Sequence, residues 1–162
     1  MSRMRIGHGF DLHRLLPAED GVIALAGVRV PAPYRLVAHS DGDVAIHALC
    51  DALLGAVALG DIGSHFSDRD PRWAGADSRQ FLHIVTAMVR AQGYQVVNVD
   101  VTILAEVPKV APYASAMRDA LAGCLGIAVN AVSIKATTLE GLGDIGRREA
   151  IAAQAVVLLE AL

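Results

Sequence analysis

The stretch SDGDVAIHALCDALLGAVALG, residues 40–60, gives the strongest helical signal of the 162-residue chain. Ser40 is followed three residues later by Asp43, a variant of the capping box that begins helices, and Gly60 is a typical terminator. Asp43, His47 and Asp51 lie four residues apart and therefore share one stripe of the helix. The stretch predicts an apolar helix that begins near Ser40 and carries one polar line of side chains, with His47 in its middle.

A second chemical signal precedes this helix, in Asp11-Leu12-His13. In an extended segment, Asp11 and His13 point to the same face. Together with His47 they supply one carboxylate and two imidazoles, the ligand set of a zinc ion whose fourth position is open. Each residue alone is more often structural, but the three together predict catalytic zinc. Cys50 is an alternative ligand, although helix periodicity places it among apolar side chains, where buried cysteine is common.

The remaining sequence alternates between strand and helix signals, which predicts one α+β domain over residues 1–162. Strands are predicted at 6–10, 97–103 and 132–136, a hairpin partner of the first strand at 22–30, and helices at 77–93 and 112–126. Residues 150–162 are ambiguous, and we predict a strand because of their run of Val and Leu. Long loops are expected at 61–76 and 137–146. The expected fold is a mixed β-sheet with helices packed on one face.

Composition narrows the class of protein. Hydrophobic residues make up 54% of the chain and aromatic residues 4%, and this excess of aliphatic surface favours an oligomer. The net charge is -3 and the 14 basic residues are scattered, which argues against nucleic-acid binding. We expect neither a signal peptide nor a membrane-spanning segment. Two cysteines give no disulfide framework, so we expect a cytoplasmic protein with neither nucleic-acid nor membrane partners.

Three further polar motifs suggest phosphate and hydroxyl recognition. His39 and Ser40 lie at the expected helix start, where backbone amides favour an anion, although Ser40 is also explained as an N-cap. Asp61-Ile62-Gly63 offers a hydroxyl acceptor at a turn, although a turn aspartate is common. The segment 135–138 followed by Glu140 and several glycines resembles a phosphate-contacting loop, with Glu140 as a ligand for a hard cation such as magnesium.

Taken in order, these segments resemble the 2-C-methyl-D-erythritol 2,4-cyclodiphosphate synthase family of the non-mevalonate isoprenoid pathway. The resemblance rests on RIGHGFDLH (5–13), AHSDGD (38–43), HALCDALLG (47–55), LGDIG (59–63), GADS (75–78), NVDVT (98–102), PK (108–109) and KATT (135–138). So many matches in register are highly specific, and they extend nearly from end to end.

The resemblance implies a homotrimer whose active sites lie between adjacent subunits, with zinc held by Asp11, His13 and His47. The implied substrate is 4-diphosphocytidyl-2-C-methyl-D-erythritol 2-phosphate, whose 2-phosphate attacks its own β-phosphate and expels CMP. Zinc would act on the β-phosphate as a Lewis acid. A magnesium or manganese ion contacting Glu140 would bridge the α- and β-phosphates.

Roles for other residues also follow from the resemblance. His39 and Thr138 would stabilise the transition state, Asp61 would hold the erythritol hydroxyls, and the loop 66–70 would close over them. Arg147 and Glu149 would lie near the trimer axis, where the family has an apolar cavity that accepts isoprenoid diphosphates. The expected substrate-contacting residues are Asp11, His13, His39, Ser40, Asp61, Ile62, Gly63, Phe66, Ser67, Asp68, Arg69, Asp70, Ala105, Pro108, Lys109, Val110, Ala111, Ala136, Thr137, Thr138, Leu139, Glu140, Asp144 and Arg147.

Five positions depart from the family pattern. Ser67 replaces a usual proline, Leu139 a common threonine, and Arg148 and Ala150 two glycines. Asp144 stands where the family usually has phenylalanine, and a carboxylate there would oppose diphosphate binding in the axial cavity. Two other functions stay open from the residues alone: a phosphohydrolase in which zinc activates water, and a non-catalytic trimeric binding module with structural zinc.

Overall fold

The computed structural model describes residues 3–162. Its main element is one mixed sheet of five strands. The elements in chain order are β1 (Met4–Pro17), β2 (Val22–Leu25), β3 (Val28–Pro31), β4 (Tyr34–Val37), α1 (Val44–Ala56), α2 (Ile62–His65), α3 (Ser78–Ala91), β5 (Tyr94–Leu104), α4 (Ala114–Leu125), β6 (Val132–Thr137), α5 (Gly143–Gly146) and β7 (Ala150–Ala161). The sheet has the order β4-β1-β7-β5-β6, with β5 and β6 parallel and the other pairs antiparallel. This architecture confirms the predicted α+β class.

The helices α1, α3 and α4 pack on one face of this sheet. Side chains on the covered face, such as Val101, Ile103 and Val157, are fully buried. On the opposite face, Ile6 is 72% exposed and Phe10 49% exposed. The chain therefore buries only one side of its sheet by itself and leaves an apolar surface on the other.

Two glycines of β1 set the distance between this strand and α1. A Cβ atom on Gly9 would lie only 1.8 Å from the carbonyl oxygen of Ala48, and Gly7 is equally close to the next turn of α1. Strand and helix therefore meet backbone to backbone. The next two side chains on this face of β1 are Asp11 and His13, which the alternation directs towards the beginning of α1.

The start of α1 corrects the sequence prediction, because Asp43 and not Ser40 is its N-cap. Asp43 Oδ1 accepts the backbone N–H of Ile46 at 3.1 Å. The two carboxylate oxygens also accept the amides of the β2–β3 turn, residues 26–27, at 2.9 and 2.8 Å. Burial raises the pKa of this carboxyl. The helix spans Val44–Ala56 and does not reach Gly60. The carboxylate of Asp43 thus connects the β2–β3 hairpin to the beginning of α1 through hydrogen bonds.

Two further predictions about the strands had different outcomes. Residues 22–31 form a hairpin of their own, β2 and β3, in a separate two-stranded sheet, so their predicted pairing with the first strand was wrong. The strand predicted at 150–162 is confirmed as β7, which lies between β1 and β5. The loop 61–76 contains two short helical segments, at 62–65 and 71–73. Within residues 3–162, no helix has the length and apolar character needed to cross a membrane.

Candidate metal centre and adjoining pockets

Asp11, His13 and His47 converge where β1 meets the first turn of α1. Asp11 Oδ2 lies 2.9 Å from His13 Nδ1 and 3.1 Å from His47 Nδ1. The ligand atoms of all three residues lie within 4.8 Å of one another, and the two imidazole rings meet edge to face with centroids 5.3 Å apart. The structure thus assembles one carboxylate and two imidazole nitrogens at a single point.

The chemistry of these donors fits a metal ion. His13 Nδ1 is buried and makes no hydrogen bond, although it is close to Asp11, because the contact is poorly aligned. A tetrahedral zinc ion with ordinary bond lengths separates its ligand atoms by about 3.3 Å. The observed separations of 2.9 and 3.1 Å would have to open by only a few tenths of an ångström. A small divalent cation would supply the missing partner of His13.

The protein holds this centre electrostatically as well. Burial by itself would raise the pKa of the Asp11 carboxyl, but its contacts with the His13 and His47 rings outweigh burial and lower that pKa to about 2. Burial opposes protonation of His47, but Asp11 raises the pKa of this imidazole above its ordinary value. Asp11 is therefore ionised throughout the neutral range and attracts a cation.

The opposite ring nitrogen of His47 contacts two hydroxyl groups. His47 Nε2 lies 2.9 Å from Ser78 Oγ and 3.2 Å from Ser40 Oγ. Ser78 was not among the predicted site residues, and Asp77, the residue before it, is the N-cap of α3. The GADS motif at 75–78 was the signal that marked the position.

A cavity of about 300 Å³ opens beside the metal centre. Its lining comprises His13, Ala38, His39, Ser40, His47, Ile62, Gly63, Phe66, Asp68, Trp73 and Phe81. Trp73 and Phe81 were not predicted as site residues, although Trp73 is the single tryptophan of the chain. With Phe66 they form an aromatic wall whose ring centroids lie 4.6 to 5.4 Å apart.

The segment 66–70 borders this cavity and contacts His39. His39 Nε2 donates to the carbonyl oxygen of Asp70 at 3.0 Å. Ser67, the residue that departs from the family pattern, accepts the backbone N–H of Arg69 at 3.2 Å and so stabilises the turn that proline would otherwise stiffen. Phe66 and Asp68 line the cavity, whereas the other three residues of the segment are not among its lining residues.

Asp61 has a structural role, and its contact with the erythritol hydroxyls stays a prediction. Its Oδ1 caps α2 by accepting the backbone N–H of Ser64 at 2.8 Å and the hydroxyl of the same residue at 2.7 Å. Ile62 and Gly63 line the cavity, whereas Asp61 lies outside its lining. The structure therefore brings two residues of this motif, but not the carboxylate, to the cavity wall.

A second cavity, of about 200 Å³, lies where β5 and β6 end. It is lined by Glu106 and by eight of the expected substrate-contacting residues, Ala105, Pro108, Lys109, Val110, Ala111, Ala136, Thr137 and Thr138. Glu106 was missed by the sequence analysis. Its Oε1 accepts the backbone N–H groups of Leu139 and Gly141 at 2.9 and 3.4 Å, which fixes the loop that borders this cavity.

The two cavities are separated within one chain, as the strand register shows. Asp11 pairs with Ala153, which pairs with Ile103, which in turn pairs with Ala136. Three strand spacings correspond to about 14 Å. Thr138, the predicted transition-state residue, lines the second cavity, whereas Glu140, the predicted magnesium ligand, is not among its lining residues. Neither residue joins the triad within one chain.

Asp144 and Arg147 form a third polar cluster. Arg147 makes ion pairs with Asp144 and, at 3.2 Å, with Glu149. Glu149 first, and Asp144 in addition, raise the pKa of the Arg147 guanidinium. Arg148 has a φ of +63°, a left-handed conformation that glycine, the usual family residue here, adopts without strain.

Comparisons with known proteins agree with this geometry. Residues 4–160 match the model of the YgbB family. The 2-C-methyl-D-erythritol 2,4-cyclodiphosphate synthase of Ectopseudomonas mendocina (strain ymp) is 58% identical over 156 residues, which cover 96% of this chain and 98% of that protein.

Solved structures also resemble this chain over nearly its whole length. One described as 2C-methyl-D-erythritol-2,4-cyclodiphosphate synthase in a CDP-bound form is 39% identical, with a TM-score of 0.88, over 96% of this chain and all of that one. The IspF–CDP complex of Plasmodium falciparum is 31% identical, with a TM-score of 0.86, over 98% of this chain and 96% of that one. The chain therefore belongs to the YgbB family, that of the 2-C-methyl-D-erythritol 2,4-cyclodiphosphate synthases.

Proposed function

We propose that this chain is a 2-C-methyl-D-erythritol 2,4-cyclodiphosphate synthase, a cyclising phosphorus–oxygen lyase. The 2-phosphate oxygen of 4-diphosphocytidyl-2-C-methyl-D-erythritol 2-phosphate would attack the β-phosphorus. A new P–O bond would close the ring while the bond from the β-phosphorus to the bridging oxygen breaks and CMP leaves. The observation that carries this proposal is the convergence of Asp11, His13 and His47 beside a cavity, in a chain 58% identical to a synthase of that name.

The triad is proposed to hold zinc, and a magnesium or manganese ion is proposed to contact Glu140. These ions would supply Lewis-acid polarisation and charge neutralisation at the phosphates. In-line phosphoryl transfer otherwise requires mainly positioning from the protein. His39 lies on the cavity wall, where its imidazole can contact a phosphate oxygen. Its Nε2 donates to the 66–70 segment, so Nδ1 is the nitrogen that faces other partners.

We propose that a homotrimer completes the site. The transition-state threonine Thr138 lies about three strand spacings, or about 14 Å, from the triad within one chain. A second copy could bring its own nucleotide cavity to the first copy's metal centre. The exposed sheet face, where Ile6 is 72% and Phe10 49% exposed, supplies apolar surface that such an assembly would bury.

The second cavity is proposed to bind the cytidine diphosphate portion of the substrate. Relatives solved with CDP support a nucleotide in this fold. Five of its nine lining residues are apolar, namely three alanines, Pro108 and Val110, so recognition would rely on shape and backbone groups. Lys109 lies in the same lining and can offset the charge of the diphosphate.

Subunit mixing tests the proposal of a shared site. His13→Ala removes the metal half and Lys109→Ala weakens the nucleotide half, so each variant alone should be nearly inactive. After subunit exchange in an equal mixture, about a quarter of the interfaces would combine two intact halves, so activity should approach about a quarter of the parent value. Failure of demonstrated hybrids to regain activity would refute the shared site, since both halves are then present.

A matched mixture of His13→Ala with His47→Ala provides the control. Both changes damage the same half, so no interface recovers and the mixture should stay inactive. Phosphorus NMR of the products from the cytidylyl substrate tests the reaction itself, because the cyclic diphosphate and CMP should appear together. Incorporation of solvent oxygen into the product would instead support the phosphohydrolase alternative.

A further inference from the structure

The carboxylate of Asp41 reaches the imidazole of His47 through one hydroxyl group, that of Ser78. Ser78 Oγ donates to Asp41 Oδ1 at 2.5 Å and lies 2.9 Å from His47 Nε2. The backbone N–H of Ser78 also donates to Asp41 Oδ2, at 3.0 Å. Asp41 therefore holds both the hydroxyl and the backbone amide of a residue that is completely buried, so the hydroxyl has little freedom to turn elsewhere.

The direction of each hydrogen bond that joins Asp41, Ser78 and His47 follows from the donors available. A carboxylate only accepts, so the single proton of Ser78 Oγ points to Asp41. The lone pairs of this oxygen then face His47 Nε2, and this nitrogen must carry a hydrogen to bond with them. In a neutral imidazole the free lone pair is then on Nδ1, which is the atom 3.1 Å from Asp11 Oδ2.

We propose that Asp41 and Ser78 are positioning residues of the metal centre, which fix the tautomer and the ring orientation of His47. This inference rests on the proposed metal centre, and neither residue would touch the ion or the substrate. An outer hydrogen-bond partner of this kind fixes the ring of a ligating histidine and increases its basicity. Ser40 Oγ is a longer contact, 3.2 Å from the same nitrogen, and it lies on the cavity wall, whereas Ser78 is the inner partner.

Zinc affinity of the full chain tests the proposal, measured by competition with a chromophoric chelator. Ser78→Ala is expected to bind zinc about 10- to 100-fold more weakly than the parent. Thr86→Ala is the matched control, because it removes a hydroxyl from the same helix that donates to the carbonyl of Leu82 at 2.7 Å, outside the site. The affinity of this control should equal that of the parent.

The outcomes separate this inference from the proposed function. A parent chain that binds no zinc would refute the proposed metal centre. A parent that binds zinc, with Ser78→Ala binding it equally well, would refute the positioning role alone. The double variant Asp41→Asn/Ser78→Ala should bind zinc as Ser78→Ala does, because Asp41 acts through the hydroxyl, whereas additive losses would show that the two residues act independently.

A measurement on the unaltered chain makes the test independent of whether the variants fold. Long-range proton–nitrogen NMR of the zinc-loaded, histidine-labelled protein reports which nitrogen of each ring carries hydrogen. We expect His47 to carry its proton on Nε2 and to bind the ion through Nδ1. A proton on Nδ1 would overturn the proposal, since Ser78 could then not accept from this ring.

Discussion

Replacing Gly9 with alanine should disturb both the stability of the fold and its metal centre. The added Cβ would lie 1.8 Å from the carbonyl oxygen of Ala48, and an ordinary carbon–oxygen contact requires about 3.3 Å. Helix α1 would therefore have to withdraw by about 1.5 Å. His47 is on the same turn of α1, so its Nδ1, now 3.1 Å from Asp11 Oδ2, would move by a similar amount.

This displacement is about three times the roughly 0.5 Å that a preorganised site tolerates. We expect Gly9→Ala to lower the free energy of unfolding by about 1–3 kcal/mol and to weaken zinc binding by at least about tenfold. Urea unfolding at one fixed protein concentration measures the first effect, and chelator competition measures the second.

Gly55→Ala is the matched control for this prediction. Gly55 is an exposed residue of α1, and a Cβ there would have no neighbour within 4 Å. Alanine favours a helix over glycine by up to about 1 kcal/mol, so this variant should be as stable as the parent or slightly more stable. If Gly9→Ala unfolds at the parent's urea concentration and keeps its full zinc affinity, the backbone-to-backbone packing of β1 and α1 does not position the site.

Three other predictions follow from the site. Zinc affinity should fall as the pH decreases from about 8 to 5, because protons compete with the ion for His47, whose pKa is raised above its ordinary value. Asp11, with a pKa of about 2, adds nothing to the slope, and a flat profile by chelator competition would contradict this. Asp144→Phe should free Arg147 from one ion pair and tighten farnesyl diphosphate binding by roughly fivefold in calorimetry. Equal binding by the parent and the variant would exclude Asp144 as the determinant. Glu106→Ala should raise KM about fivefold, because two backbone N–H groups of the loop lose their acceptor. Glu106→Gln keeps the acceptor and should behave as the parent in steady-state assays, and equal KM values in the two variants would contradict this role.

The sequence by itself determined the local features of this protein. Strand alternation predicted that Asp11 and His13 share a face, and helix periodicity predicted that Cys50 is buried in α1, as the structure shows, because both patterns depend only on neighbouring residues. The β-branched and leucine run near the C-terminus predicted β7, although its central place in the sheet did not follow from its sequence. The motifs also identified the family, through resemblance rather than through geometry.

Only the tertiary structure decided which distant residues meet. Asp43 became the helix cap because a hairpin turn from residues 26–27 brings two amides to its carboxylate, and local spacing could not distinguish it from Ser40. The contact between Ser78 and His47 joins residues 31 positions apart, a separation over which periodicity carries no information. The order of the strands likewise placed the metal centre and the second cavity three strands apart, so that one chain contains both halves of the proposed site but does not join them.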